Sequence, residues 1–195
     1  MGKELDTIYL AYAGMEASLS AIRVYAERIV PGLLQTREYA ETVTASTLPE
    51  EEALMRQAVD KRLERQVVQA ARMPKMRSLY ILDEAVLRRS PGSIPVLRRQ
   101  LEHLTYCAER PETEIRVLPF RAGVQAINDT ICIFTREDGT TGVYCDVGGM
   151  DPMPPFFITD PHRIAGMETR FESTAEAALF PESSVAFIEA AAQAL

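Results

Sequence analysis

Leu79-Tyr-Ile-Leu-Asp-Glu-Ala-Val-Leu-Arg-Arg89 is the stretch that decides the fold class. Its first four residues form a near-continuous apolar run, as in a buried strand. Asp83-Glu84 then favours the start of a short helix, because carboxylates stabilise the first helical turn. Ser90-Pro-Gly92 ends that helix. The stretch therefore predicts a strand that passes directly into a helix.

The residues that follow complete a βαβ unit. Ser93 is expected to cap a second helix that has Pro95 in its first turn. This helix has an apolar stripe formed by Ile94, Leu97, Leu101, Leu104 and Ala108. Residues 115–118 form the next apolar run. Two strands joined in this way are predicted to be parallel, with a right-handed crossover.

The N-terminal part predicts a strand and three helices. Residues 21–25 alternate like a strand, and Pro31-Gly32 is a turn dipeptide, because Pro fixes φ and Gly accepts a positive φ. The expected helices span residues 4–19, 33–45 and about 48–72. The third of them begins with a capping box at Thr47 and Glu50 and ends at Met73-Pro74.

The C-terminal part predicts a hairpin and two helices. Residues 130–136 and 142–147 are strand-like runs that flank Asp138-Gly139, which is a hairpin signal. The further expected elements are an apolar loop at 150–157 that overlaps a strand at 156–158, a helix from Asp160-Pro161 and a helix from Pro181.

These elements predict an α/β fold of the mixed α+β kind. We expect one domain over residues 1–195, with a mixed sheet of four to six strands that contains the βαβ unit and the β-hairpin. Helices at both termini cover the sheet. The expected parts are a helical N-terminal segment at 1–75, an α/β core at 76–158 and C-terminal helices at 159–195. The long apolar stripes of the last helices predict a homodimer, the commonest symmetric assembly.

Composition indicates a cytoplasmic protein. The chain is 47% hydrophobic and 25% charged, as is ordinary for soluble globular proteins. Cys107, Cys132 and Cys145 form no CxxC pair, and such sparse cysteines are typical of a reducing compartment. The sequence has no apolar run of membrane-spanning length and no signal-peptide core, so we expect no membrane association.

The charge of the chain is unevenly distributed. The net charge is −7, but residues 56–99 contain 11 of the 21 Lys and Arg and only four acidic residues. The acidic remainder repels nucleic acid, so we expect this chain alone not to bind it. The basic middle could bind an anion or an acidic partner, or pair with the acidic half of the chain itself.

The carboxyl ends of the predicted parallel strands are the first candidate ligand site, because ligands of open α/β sheets bind there. Asp83, Glu84, Arg88 and Arg121 are the charged candidates. Glu84 could bind an amine or guanidinium ligand. Alternatively, it is a capping acid that pairs with Arg88 at i+4.

The Pro31-Gly32 turn is the second candidate. The backbone N–H groups of Gln35 and Thr36 could bind an anion, or the turn could be structural. Arg65, in the Arg-x-x-Arg-Gln sequence at 62–66, suits bidentate capture of a carboxylate or phosphate, although a solvated helix face is the alternative.

The sequence identifies no catalytic residues. His103 and Cys107 lie four residues apart on a predicted helix, but a metal needs more ligands than these two. We therefore expect no metal site and no cofactor.

The order and spacing of several segments resemble one bacterial family. The segments are Ile29-Val-Pro-Gly-Leu-Leu-Gln-Thr36, Arg62-x-x-Arg65-Gln66, Leu82-Asp-Glu-Ala-Val-Leu-Arg-Arg89, Val117-Leu-Pro119 and the stretch from Phe171 to Ser184. From about Glu16 onward, the chain resembles the domain of unknown function that follows an Xre-type helix-turn-helix in many transcription regulators.

This resemblance implies a regulatory function. We expect a domain that senses a small-molecule ligand or a protein partner, here without the DNA-binding part. Ser90-Pro91-Gly92 stands where the family tends to have Val-Gly. The alternative function is a stand-alone enzyme on the same scaffold, acting in small-molecule biosynthesis.

Overall fold

A six-stranded sheet forms the centre of the computed structural model, which describes residues 18–47, 52–72, 76–127, 129–146 and 156–195. The strands are β1 (Leu19–Ala26), β2 (Arg77–Asp83), β3 (Thr113–Leu118), β4 (Thr130–Arg136), β5 (Thr141–Asp146) and β6 (Phe156–Ile158). Their order across the sheet is β3-β2-β1-β4-β5-β6. The pairs β1–β2 and β2–β3 are parallel, and the three remaining pairs are antiparallel. The predicted mixed α/β fold is confirmed.

Six α-helices lie in the described part of the chain. They are α1 (Arg37–Thr47), α2 (Glu52–Arg72), α3 (Glu84–Arg88), α4 (Ile94–Ala108), α5 (Pro161–Ala177) and α6 (Pro181–Gln193). Short 3-10 turns occupy Gly32–Leu34 and Phe120–Ala122.

The helices cover the two faces of the sheet unequally. On one face, the core contains Tyr39 of α1, Leu87 of α3, Leu101 of α4 and Ile188 of α6, packed on β1, β2 and β3. On the other face, the core contains Ile164 and Phe171 of α5, together with residues from all six strands. From β3, only Leu118 belongs to this core. Because apolar side chains alternate between the faces of each strand, one sheet supplies both cores.

The βαβ unit and the hairpin have the predicted arrangement. Tyr80 of β2 is in register with Ile115 of β3, and α3 and α4 connect these two parallel strands. Thr135 of β4 is in register with Thr141 of β5. Gly139, in the turn between them, has a φ of 84°, a conformation that only Gly adopts at low cost.

The N-terminal elements differ from the prediction at three boundaries. Thr47, predicted to cap the helix at about 48–72, is instead the last residue of α1. Leu19, predicted as the end of a helix, is the first residue of β1 and is in register with Arg136 of β4. The helix predicted from residue 33 begins at Arg37, because Gly32–Leu34 forms a 3-10 turn and Gln35 is extended. At Leu19 and at residues 33–36, bonds to distant segments override the local pattern.

Several predicted features lie outside the described residues. They are the helix at residues 4–17, the Glu50 half of the capping box, the helix end at Met73-Pro74 and most of the apolar loop at 150–157.

The apolar stripes of the two C-terminal helices pack inside the same chain. Ile164 and Phe171 of α5 are buried against one face of the sheet, and Ile188 and Ala191 of α6 are buried against the other. The homodimer stays a prediction, but these faces no longer support it.

Candidate functional site at the carboxyl ends of the parallel strands

The carboxyl ends of β1, β2 and β3 lie side by side at one edge of the sheet. Ala26 of β1 is in register with Leu82 of β2, and Asp83 of β2 is in register with Leu118 of β3. The residues just beyond these strands therefore lie at the same edge, where ligands of open α/β sheets bind.

Asp83 serves as the N-cap of α3 and as a hydrogen-bond partner of a buried tyrosine. Its Oδ1 accepts a hydrogen bond from the Ala85 N–H at 2.8 Å. Burial raises the pKa of Tyr25 well above its usual value, and the negative charges of Asp83 and Glu27 and a hydrogen bond to Asp83 add to this effect. The Tyr25 phenol is therefore neutral and donates a hydrogen bond to the Asp83 carboxylate.

Glu84 connects the ends of β2 and β3. Its side chain is only 13% exposed. The Arg88 Nε donates to Glu84 Oε1 at 3.3 Å, and the Phe120 backbone N–H donates to Glu84 Oε2 at 3.0 Å. The Arg88 guanidinium also lies 5.7 Å from the centre of the Phe187 ring of α6. Glu84 thus forms the predicted i+4 pair and a contact that the sequence does not indicate.

The turn that follows β3 presents apolar side chains to solvent. Phe120 is 60% exposed and Val124 is 98% exposed. Phe180, which is 72% exposed, follows Leu179, whose backbone N–H donates to the Val117 carbonyl near the end of β3. We call Phe120, Val124 and Phe180 the β3-end surface.

Gln35, the first residue of the second predicted site, is buried and engaged in hydrogen bonds. Its Nε2 donates to the Val30 carbonyl at 2.7 Å, and its Oε1 accepts from Arg62 at 2.6 Å. The Gln66 Nε2 donates to the carbonyls of Gly32 and Gln35 at 2.7 and 2.9 Å. These bonds fix the Pro31-Gly32 turn against α2.

Thr36 is held in the same way by α4. The Thr36 N–H donates to Gln100 Oε1 at 2.8 Å, and Gln100 Nε2 donates to the Leu34 carbonyl at 2.7 Å. Thr36 Oγ1 accepts from the Tyr39 N–H, which places Thr36 at the N-terminus of α1. The Thr36 N–H that could bind an anion is thus bonded within the protein.

The predicted site residues fall into two groups. Asp83, Glu84 and Arg88 lie together at the end of β2, and Glu84 contacts the turn that carries the exposed Arg121. A second group, with bonds to α2 and α4, contains Gln35 and Thr36, and half-buried Arg65 lies on α2.

Sequence reasoning did not identify three residues of the site: Tyr25, Val124 and Phe180. Tyr25 reads as an ordinary strand residue. The available signals were Gly123, which directly precedes Val124, and the Phe-Pro step at 180–181, because large apolar residues beside turn signals are candidates for exposure.

The predicted His103–Cys107 pair is formed, with 3.4 Å between Nε2 and Sγ. Burial lowers the pKa of His103 and raises the pKa of Cys107, so both side chains favour their neutral forms. Among the residues that the structure describes, His, Cys, Asp and Glu form no group of three that could hold a metal ion.

Comparison with known proteins identifies the family. The model of the Domain of unknown function (DUF5753) matches residues 9–190. The chain belongs to this family. No curated protein and no solved structure matches the chain. Within the described ranges, the DUF5753 chain has no helix that is long and apolar enough to cross a membrane.

Proposed function

We propose that this chain is a partner-sensing regulatory domain that binds a protein through the β3-end surface. The observation that carries the proposal is the exposure of Phe120, Val124 and Phe180, which is 60%, 98% and 72%. Phe120 follows β3 after Pro119, and Phe180 follows a residue that is bonded to β3, so these exposed apolar side chains lie in segments attached to one strand end and form a candidate interaction site.

The exposure of these side chains favours a protein partner over a small molecule. Ligand pockets enclose most of the surface of a small molecule, whereas Phe120, Val124 and Phe180 protrude into solvent. A partner with an apolar groove would bury all three. Aromatic side chains inserted into such a groove contribute much of the binding energy of many complexes.

The β3-end surface is attached to rigid parts of the fold. Phe120 is bonded through its N–H to Glu84, and Phe180 is preceded by Leu179, which bonds to β3. A binding surface on rigid elements loses less conformational entropy when the partner binds. This arrangement therefore suits recognition of one specific partner.

The regulatory context is part of the proposal. It is supported by the resemblance to domains that follow an Xre-type helix-turn-helix. In this view the partner changes the activity of a transcription regulator, and the β3-end surface is where the partner is recognised.

Photo-crosslinking tests the proposal. A photoreactive residue is placed at Phe120, at Phe180 or, as a control, at Leu54, an exposed apolar residue of α2. In cells of the source organism, we expect the first two positions to capture one and the same protein, and position 54 not to capture it.

Binding of the purified partner then measures the contribution of the surface. We expect Phe120→Ser to weaken the affinity at least about tenfold, which is typical of a hot-spot residue. Val67→Ser, which also removes an exposed apolar side chain, is the matched control and should leave the affinity unchanged. Equal effects of both variants, or capture of the partner only at position 54, would contradict the proposal.

A further inference from the structure

We propose that Glu84 is a positioning residue for the β3-end surface, because its carboxylate holds the turn that presents Phe120. The inference rests on the proposed function for the use made of Phe120. The control of the turn by Glu84 is a separate property that can be measured without the partner.

The turn needs an acceptor from elsewhere in the fold. Pro119 occupies the N-cap position of the Phe120–Ala122 turn, and its side chain has no hydrogen-bond acceptor. The first N–H groups of a helical turn have no partner within the turn itself. Glu84 Oε2 supplies the acceptor for Phe120 at 3.0 Å, across 36 residues of sequence.

Glu84 is itself held in place before it meets the turn. It begins α3, which is capped by Asp83 and anchored by the fully buried Val86 and Leu87. Arg88 binds the other carboxylate oxygen of Glu84 and contacts the ring of Phe187. The carboxylate is therefore preorganised. Its Oε1 accepts from Arg88, and its Oε2 accepts from the Phe120 N–H.

The far end of the turn is stabilised locally. The Gln125 Nε2 donates to the carbonyls of Ala122 and Gly123 at 3.1 and 3.3 Å. These bonds stay within the segment and do not attach it to the sheet. Loss of the Glu84 bond should therefore free the start of the turn, where Phe120 lies, while the local bonds remain.

Four variants separate positioning from general stability. Glu84→Ala removes both carboxylate contacts. Glu84→Gln keeps the shape and one acceptor oxygen. Arg88→Met keeps an apolar side chain against Phe187 and leaves Oε2 free for Phe120. Glu102→Ala removes an exposed acid from α4 and is the matched control.

Amide hydrogen exchange, measured residue by residue by NMR, is the readout. In Glu84→Ala, we expect the Phe120 amide to exchange at least about tenfold faster, while the Leu118 amide in β3 is unchanged. In Glu102→Ala, the Phe120 amide should exchange as in the wild type. In Arg88→Met it should exchange only slightly faster, because Oε2 keeps its bond to Phe120 and loses only the support of Arg88. Glu84→Gln should give an intermediate rate, because one oxygen cannot serve both Arg88 and Phe120.

Two outcomes would overturn the inference. One is an unchanged Phe120 exchange rate in Glu84→Ala. The other is an equal acceleration at Phe120 and Leu118, which would mean that Glu84 only stabilises the fold. If the exchange pattern is as expected but Phe120→Ser leaves partner capture intact, the control of the turn stands and the proposed binding surface is wrong.

Discussion

The Val117 N–H donates a hydrogen bond to the Ser184 hydroxyl at 2.9 Å, and in this way a side chain of α6 closes the outer edge of β3. The Leu179 N–H donates to the Val117 carbonyl, also at 2.9 Å, and Ser184 donates to the Leu179 carbonyl. Edge strands with free N–H and C=O groups are templates for pairing with other chains. Here the connection between α5 and α6, with the first turn of α6, bonds both backbone groups of Val117 on that edge.

Ser184→Ala tests this closure. The substitution leaves the buried Val117 N–H without its acceptor, which costs about 1–3 kcal/mol of the free energy of unfolding. Urea denaturation measures the change. Ser183→Ala, at an exposed neighbouring position, is the control and should change the free energy by less than about 0.5 kcal/mol.

Two glycine substitutions should have opposite effects. A Cβ at Gly142 of β5 would overlap the ring of Phe134 on the neighbouring strand, so Gly142→Ala should lower the free energy of unfolding by about 1–3 kcal/mol. A Cβ at Gly166, within α5, meets no atom within 4 Å. Gly166→Ala should therefore raise the free energy by about 0.5–1 kcal/mol. Thermal unfolding of both variants measures the change in the free energy of unfolding. Changes of the same sign in the two variants would contradict the assigned surroundings of the two glycines.

Gln100 is expected to be a critical polar residue of the core. It is fully buried, and its amide bonds both to the Thr36 N–H and to the Leu34 carbonyl. Gln100→Ala removes the partners of the partly buried Thr36 N–H and of the buried Leu34 carbonyl, at a cost on the order of 3 kcal/mol. Chemical denaturation is the measurement, and Gln57→Ala on the exposed side of α2 is the control. A cost for Gln100→Ala similar to that of the control would refute the assigned role.

Tyr25 should make stability fall at alkaline pH. Its folded-state pKa lies above the usual value of 10.0, so the folded protein keeps a proton that the unfolded chain loses. This contribution is complete below pH 10 and declines as the pH rises above 10, at a rate on the order of 1 kcal/mol per pH unit. Tyr25→Phe should therefore lose less stability than the wild type between about pH 9 and 11. Urea unfolding across that range provides the comparison, with Tyr106→Phe as a control for the removal of one phenol. An unchanged slope in Tyr25→Phe would show that its burial is not the cause.

The elements that the sequence predicted well are those set by local signals. The helix start at Asp83-Glu84 was predicted because carboxylates stabilise the first helical turn, and the structure shows that Asp83 is the residue that caps it. The Asp138-Gly139 turn and the proline at the start of α6 are similar cases. In each case, the residues that interact lie within about four positions of one another, so a short stretch of sequence is enough to predict the element.

The remaining features depend on contacts between distant segments. Leu19 joins the sheet because it pairs with Arg136, and the start of α1 is delayed to Arg37 because Gln66 and Gln100 bind the backbone before it. For the candidate site, the Glu84–Arg88 pair was foreseeable from its spacing. The contact between Glu84 and Phe120 was not, because no local pattern relates residues on two different strand ends.

The central position of β1 has a consequence for how the protein is made. β1 is among the first described residues to leave the ribosome, yet its two neighbours in the sheet, β2 and β4, begin at Arg77 and Thr130. During translation, one edge of β1 stays unpaired until β2 has been synthesised, and the other edge stays unpaired until β4 has been synthesised. The outer edge of β3 is bonded later still in synthesis, when Ser184 emerges. Because unpaired strand edges are templates for pairing with other chains, we expect products truncated before β4 to aggregate.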